Sequence, residues 1–270
     1  MIRLGHIDYS NCIPVHALLL DRAMPGIDLV RGVPADLNRA LAAGEIDAAP
    51  CSSIEYARHS GEYRILPGHV IGSTGAVGSI LLESAVPAAG LGGAVVGVPT
   101  ASATSVVLLR ALLEIRLGLE VRLRWFDQDS DRDPLDHGMA AALRIGDTAL
   151  RRAAPSGRTV LDLGAEWASW TGLPFAFAVW QVRREVGARD VRALADVLHR
   201  SRAYFAARTG DFATRCAPEF GLSPQRLLAY WASLQFDLDD AMSRGLLHFY
   251  DMAAELGEAP PVAGLEFTGT

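Results

Sequence analysis

The sequence predicts an α/β protein with an all-helical C-terminal third, on three observations. Apolar runs of strand length alternate with helix-length segments through the first two thirds of the chain. Polar or glycine-bearing turns stand where each run gives way to the next helix. Beyond residue 182 the strand pattern stops and helical periodicity takes over. Half of the 270 residues are hydrophobic and 21% are charged, which is enough apolar material for a large core and excludes a disordered chain.

Residues 2–7 are apolar enough for a buried strand and end in the turn Asp8-Tyr9-Ser10-Asn11. Pro14 then falls in the first turn of a helix through residue 20, where its missing N–H costs nothing. Val15, Leu18 and Leu19 give that helix its apolar stripe. Pro34-Ala35-Asp36 opens a second helix, stopped by Gly44. Residues 46–50 read as a short strand, and Ser52-Ser53 begins a helix over 54–58. Strands follow at 79–82 and 94–98, and the polar stretch 100–105 leads into a long helix over 106–116. Residues 121–126 form a strand, and 139–143 lead through Ile145-Gly146-Asp147 to a helix over 148–152. Strands at 160–164 and 175–182 close the α/β part; helices are expected over 191–208, 211–220, 224–232 and 239–256. Segments 36–57 and 136–152 echo each other as helix or lead-in, tight strand, and polar helix start. This repeated strand–helix grammar points to parallel sheets.

All 25 basic residues are arginine. Without lysine there is no Schiff-base aldolase, no pyridoxal-phosphate enzyme and no Walker phosphate loop. Net charge is −6 with arginine spread along the chain, so no nucleic-acid partner is expected. Three scattered cysteines and seven histidines without His-x-His or His-x-x-x-His spacing lead to no expected metal, and no organic cofactor is expected. No apolar run reaches the roughly 18 residues of a membrane span, and residues 1–8 have no export signal, so the expectation is a cytoplasmic protein without a membrane partner.

Four polar clusters fall at expected strand ends followed by helix starts: Ser10-Asn11, Ser52-Ser53, Ser102-Thr104-Ser105 and Gly146-Asp147. Each alone is explained as a helix N-cap. Together they describe a pocket of hydroxyls, an amide and helix N-termini, suited to a small carboxylate. There is no Gly-x-Ser-x-Gly elbow. The Gly90-x-Gly92-Gly93 run precedes a strand and fails as a dinucleotide loop. The acidic run 127–133 lacks the glycine and closing glutamate of a calcium loop and reads as a solvated loop. Trp167, Trp170, Phe175, Phe177 and Trp180 read as core or interface packing.

Four segments together resemble the chorismate dehydratase family of menaquinone biosynthesis. They are Asp8-Tyr9-Ser10-Asn11-Cys12-Ile13-Pro14, Ser52-Ser53-Ile54-Glu55-Tyr56-Ala57, Ile145-Gly146-Asp147-Thr148-Ala149-Leu150, and Leu161-Asp162-Leu163-Gly164-Ala165-Glu166-Trp167 with Thr171-Gly172-Leu173-Pro174-Phe175-Ala176-Phe177-Ala178-Val179-Trp180. The resemblance implies a two-lobed, type 2 periplasmic-binding-protein-like fold with a helical C-terminal segment. Lobe one would be 1–78 with 179–270 and lobe two 79–178, with hinges near 77–79 and 178–180. It also implies conversion of chorismate to 3-[(1-carboxyvinyl)oxy]benzoate and water, with the substrate's own enolpyruvyl carboxylate as base and no cofactor. On this resemblance Asn11 holds the substrate for that proton transfer. Ser52 and Ser53 would take one carboxylate, Thr104 and Ser105 the other, and Gly146 and Asp147 would border the C4 hydroxyl. Ser10, Ser79 and Ser102 complete the expected binding residues. The sister enzyme 1,4-dihydroxy-6-naphthoate synthase carries a histidine base where this chain has Gly146, which ranks that activity second. A non-catalytic carboxylate-binding protein of the same fold is the third reading.

Overall fold

The computed structural model describes residues 1–130, 133–152 and 156–269. Two five-stranded sheets organise it. The first holds β1 (Ile2–Ile7), β2 (Ile27–Gly32), β3 (Ala48–Ser52), β4 (Tyr63–Ser73) and β10 (Phe175–Arg183), in the order β2-β1-β3-β10-β4. The second holds β5 (Ile80–Ser84), β6 (Val95–Pro99), β7 (Arg122–Phe126), β8 (Ala141–Ile145) and β9 (Thr159–Asp162), in the order β7-β6-β8-β5-β9. The two orders are the same topology, with β6, β7, β8, β5 and β9 standing for β1, β2, β3, β10 and β4. The echo between segments 36–57 and 136–152 is therefore real at the level of topology.

The sheets are mixed, which corrects the expectation of parallel ones. β1 is parallel to β2 and β3, and β6 to β7 and β8. β10 runs antiparallel to β3 and β4, and β5 antiparallel to β8 and β9. In each sheet the antiparallel strand is the one laid down on arrival from the other sheet, β5 after 74–79 and β10 after 163–174. β10 pairs from Phe175↔Ser73 onward, so the hinge position expected at 178–180 falls inside a strand.

Helices α1 (Ile13–Asp21), α2 (Pro34–Ala42) and α3 (Ser53–Arg58) accompany the first sheet. α4 (Ala103–Arg110), which continues as a π-helical stretch over Ala111–Arg116, α5 (Gly146–Arg151) and α6 (Leu163–Thr171) accompany the second. The tail forms α7 (Ala188–Ala206), α8 (Thr209–Phe220), α9 (Pro224–Ser233) and α10 (Asp240–Glu255). Two strands escaped the sequence reading. β2 is a half-exposed edge strand, and β4 is interrupted by Pro67 and by Gly68 at φ +76°, so its apolar residues read as two short runs. The acidic run 127–133 includes residues 131 and 132, which lie outside the described residues. No helix among the described residues is long and apolar enough to cross a membrane.

The tail packs against elements of the first sheet. Leu18 N–H of α1 donates to Ser201 Oγ of α7 at 2.9 Å, and the Tyr250 hydroxyl of α10 donates to Ser53 O at 2.7 Å. Trp167, Phe175 and Phe249 stack edge to face at centroid distances of 4.9–6.3 Å, tying α6, β10 and α10 together. Trp167, Phe175 and Trp180 are core residues as expected.

The second lobe carries a buried ion network on its sheet. Arg144 and Arg152 pair with Glu83 at 3.3 and 2.8 Å, and Arg158 and Arg152 pair with Asp133 at 2.7 and 2.6 Å. Burial alone would raise the Asp133 carboxyl, but bonds from Arg158, Leu135 N–H and Arg152 hold it down at about 2. A carboxyl lowered from 3.8 stabilises the fold above its unfolded value and loses that stabilisation as pH falls through about 2. Asp133→Asn should therefore cost about 2 kcal/mol at neutral pH, at roughly 1.4 kcal/mol per pH unit of separation. Urea denaturation against pH should show that deficit closing toward pH 2; a deficit independent of pH would mean that packing, not charge, is what Asp133 supplies.

Candidate active site

The polar clusters meet where the two lobes face each other. A cleft is lined on the side of the first sheet by Tyr9, Asn11, Ser52 and Phe177, and on the side of the second by Ala101, Ser102, Ser105, Ile145 and Gly146. Ile7, Ile71 and Ile80 make its floor apolar. It encloses about 60 Å³. Through Ser52, Ala101 and Ser102 it shares walls with an outer chamber of about 290 Å³ that Asn38, Arg39, Glu55 and Trp125 complete.

The local reasons for this placement are legible. β1 ends at Ile7, and a 3₁₀ turn over Ser10–Cys12 leads into α1, whose Pro14 is pre-set for a first turn. That turn lifts Asn11 to the carboxyl end of the sheet, where parallel α/β units hold ligands. Ser102 caps α4, accepting from Ser105 N–H at 3.3 Å and donating to Ser105 Oγ at 2.9 Å. Ser105 therefore keeps its own O–H for the cleft. Ser52 Oγ makes no hydrogen bond among the described residues, while its carbonyl accepts from Gln181 at 3.1 Å. Gly146 has φ +60°, and a Cβ there would lie 3.3 Å from the Tyr9 ring. The left-handed backbone favours glycine, and a Cβ would press on the Tyr9 ring.

Five of the ten expected site residues line the cleft: Asn11, Ser52, Ser102, Ser105 and Gly146. The other five, Ser10, Ser53, Ser79, Thr104 and Asp147, are buried beside it and spent on bonds, several of them between lobes. Ser10 N–H donates to Asp147 Oδ2 at 3.0 Å, and its hydroxyl donates to Asp147 Oδ1. Ile54 N–H of α3 donates to Thr104 Oγ1 of α4 at 3.2 Å, and Ser53 Oγ donates to Ala176 O at 2.8 Å. Ser79 receives the Tyr230 hydroxyl at 2.9 Å. Asp147 does not border the cleft; burial pushes its carboxyl up, against which the two Ser10 bonds work. Sequence reasoning missed Tyr9, whose phenol is pushed up to about 12 by burial and by the charges of Asp129 and Asp147, and so stays a donor. It also missed Tyr230 and Trp231, whose indole N–H donates to Ser10 O at 2.8 Å.

Beneath the Asn11 turn, His6, Cys12 and His16 bring three ligand atoms within 4.8 Å of one another. The Cys-x-x-x-His spacing was visible in the sequence; its pairing with His6 needed the fold. Trp180 N–H donates to His16 Nε2 at 3.1 Å, which leaves the proton of a neutral imidazole on Nδ1, aimed at His6 Nδ1 at 3.0 Å. A metal on His16 Nδ1 would drive that proton onto Nε2, against the indole N–H. Burial lowers His6 to about 4 and His16 well below its usual value, and raises the Cys12 thiol to about 12. The trio fits a neutral hydrogen-bonded chain better than a metal site.

What remains in the cleft is an amide, three serine hydroxyls, a phenol and apolar walls, with no charged side chain lining it among the described residues. Such a site orients an anion and donates hydrogen bonds, but supplies no base of its own.

A family profile described as menaquinone biosynthesis matches residues 2–255. A chorismate dehydratase of Thermus thermophilus is 31% identical over 264 residues, covering 91% of this chain and 93% of the relative. One of Campylobacter jejuni is 31% identical over 179 residues, 64% of each chain. In fold, an Archaeoglobus fulgidus crystal structure matches with TM-score 0.79 at 21% identity, covering 95% of this chain and 97% of that one. The periplasmic aliphatic sulphonate-binding protein of Escherichia coli matches with TM-score 0.69 at 16% identity, covering 100% and 94%. The fold is the two-lobed, periplasmic-binding-protein-like one, and the chain belongs to the chorismate dehydratase family of menaquinone biosynthesis.

Proposed function

We propose that this protein is a chorismate dehydratase, a carbon–oxygen lyase that converts chorismate to 3-[(1-carboxyvinyl)oxy]benzoate and water. The observation that carries this reading is the uncharged, hydroxyl-lined cleft in a chain with near full-length likeness to such an enzyme. In the elimination, the C3–H electrons become the new ring double bond as the C4–O bond breaks. The C3 proton passes to the enolpyruvyl carboxylate and leaves with the hydroxyl as water. Aromatisation drives the step, so the protein needs only to orient the substrate and stabilise shifting charge. With no base in the cleft walls, the substrate's own carboxylate is the fitting acceptor. The lobes are read as 1–78 with 179–270, and 79–178, with the first residues of β10 shared at the return crossing. The naphthoate synthase reading is disfavoured because Gly146 stands where that enzyme carries its histidine base, so that proton acceptor is missing.

The direct test is incubation of the purified protein with chorismate, followed by ultraviolet absorbance and mass spectrometry; no loss of water from chorismate would sink the proposal. The binding roles have their own test. Ser52 and Ser105 are the hydroxyls left free toward the cleft, whereas Thr104 is engaged by Ile54 N–H. Ser52→Ala with Ser105→Ala should weaken binding of the product dicarboxylate by roughly 1–3 kcal/mol, the usual cost of removing donors from a buried site. Calorimetry checks it, and unchanged affinity would reduce both serines to helix-start residues.

A further inference from the structure

We infer that Asp147 and Trp231 are positioning residues: they clamp Ser10 at its two ends and so hold the next residue, Asn11, where its side chain meets the ligand. The inference deepens the dehydratase reading and rests on it for its chemical meaning. Ser10 opens the 3₁₀ turn between β1 and α1, and its neighbours Tyr9 and Asn11 both line the cleft. Asp147 stands in the first turn of α5, beside the second sheet, and puts both carboxylate oxygens on this one residue. Oδ2 accepts the Ser10 N–H at 3.0 Å, and Oδ1 accepts the Ser10 hydroxyl. Trp231 comes from α9, and its indole N–H donates to Ser10 O at 2.8 Å.

Peptide planarity turns those bonds into control of Asn11. The Ser10 N–H belongs to the rigid plane shared with Tyr9, and the Ser10 carbonyl to the plane shared with Asn11. With both planes held from outside, the two soft dihedrals of Ser10 are fixed, and they set how Asn11 leaves the turn. Gly146, the residue before Asp147, faces the Tyr9 ring, so the pair Gly146-Asp147 meets the pair Tyr9-Ser10 residue for residue. Asn11 Oδ1 is buried and has no partner among the described residues, so the backbone that carries it sets where this acceptor stands.

A buried carboxylate is a costly way to fasten a turn, because it gives up its hydration. Burial does push the Asp147 carboxyl up, against the two Ser10 bonds. What the carboxylate offers, and a single hydroxyl or carbonyl does not, is two acceptors side by side with no proton of their own. It can therefore hold the N–H and the O–H of one residue at once. Misplacing an orienting group by ~1 Å is enough to cost about a hundredfold in rate, and that is the scale on which a loosened turn acts. Asn11 touches the substrate, and Asp147 and Trp231 act only through it.

The test is kcat and KM on chorismate for Asp147→Ala, Asp147→Asn and Trp231→Phe, each alone and combined with Asn11→Ala, with Tm measured for every variant. Asp147→Ala should lower kcat about tenfold or more with little change in KM, and Trp231→Phe should lower it by less. Asparagine keeps an acceptor for the Ser10 N–H and can donate to the Ser10 hydroxyl oxygen, so Asp147→Asn should recover most of the loss. In the Asn11→Ala background neither Asp147→Ala nor Trp231→Phe should lower kcat further. The same fall in both backgrounds, an unchanged kcat in Asp147→Ala, or an asparagine variant no better than alanine overturns the proposal. Should Asp147→Ala not fold, Trp231→Phe decides: an unchanged kcat, or a fall that persists without Asn11, overturns it. A substrate-free arm keeps failure here apart from failure of the dehydratase reading. In ¹⁵N-labelled protein the Asn11 side-chain NH₂ signals should move in Asp147→Ala and return toward their wild-type positions in Asp147→Asn. Signals unmoved in Asp147→Ala overturn the positioning role even if chorismate turns over. Signals that move, in a protein that turns over no chorismate, uphold the clamp and fail the functional reading alone.

Discussion

Asn11→Asp is expected to fold with the wild-type melting temperature and to lose at least about a hundredfold in kcat on chorismate. The change keeps the size of the side chain but replaces its NH₂ with an oxygen. The carboxylate would also stand in a cleft that holds no cation, facing a substrate with two negative charges. Two like charges ~4 Å apart repel by about 4 kcal/mol at an effective dielectric of ~20, more than the roughly 2.7 kcal/mol a hundredfold loss requires. If Asn11 served only to start the turn before α1, aspartate would do as well, since both are good at helix starts. Near-normal turnover by a stably folded variant would remove Asn11 from the chemistry.

Gly245→Ala should produce the largest loss of stability, about 3 kcal/mol, without touching the cleft. Gly245 lies on α10 where the helix passes the return crossing, and a Cβ there would sit 2.1 Å from the Pro174 carbonyl oxygen. That carbonyl cannot swing away freely, because it accepts the Trp167 indole N–H at 3.2 Å. The helix must move instead, and with it Phe249 and Tyr250, which pack on Phe175 and bond to Ser53. Gly210→Ala is the internal comparison. It lies early in α8, where a Cβ would meet nothing within 4 Å, so alanine should be neutral or gain about 0.5 kcal/mol through helix propensity. Equal urea midpoints for the two variants would mean that α10 is not seated on the crossing as described.

Local chemistry explains which parts of the fold and site were legible. Pro14, Ser52-Ser53, Ser102 and Gly146-Asp147 mark real helix starts because caps and first turns depend on residues only a few positions apart. Strands β1, β6 and β7 were found nearly to the residue because each is one uninterrupted run. β2 lacks a buried face to impose alternation, and Pro67-Gly68 splits β4. Strand direction was misread because alternation of strands and helices does not reveal which strands arrive from the other sheet.

Composition and short-range spacing account for the α/β class, the helical tail, the absence of lysine chemistry and the four polar strand ends. Which of those polar groups remain free for a ligand depends on long-range packing. Ser10 and Asp147 are equally plausible cleft residues in sequence, yet 137 positions apart they consume each other's hydrogen-bonding capacity. Tyr230 reads as an ordinary core aromatic on an amphipathic helix until folding aims its hydroxyl at Ser79, 151 positions away. A side chain's type is written in the chain, but whether its donors and acceptors are already satisfied depends on partners that long-range packing brings to it.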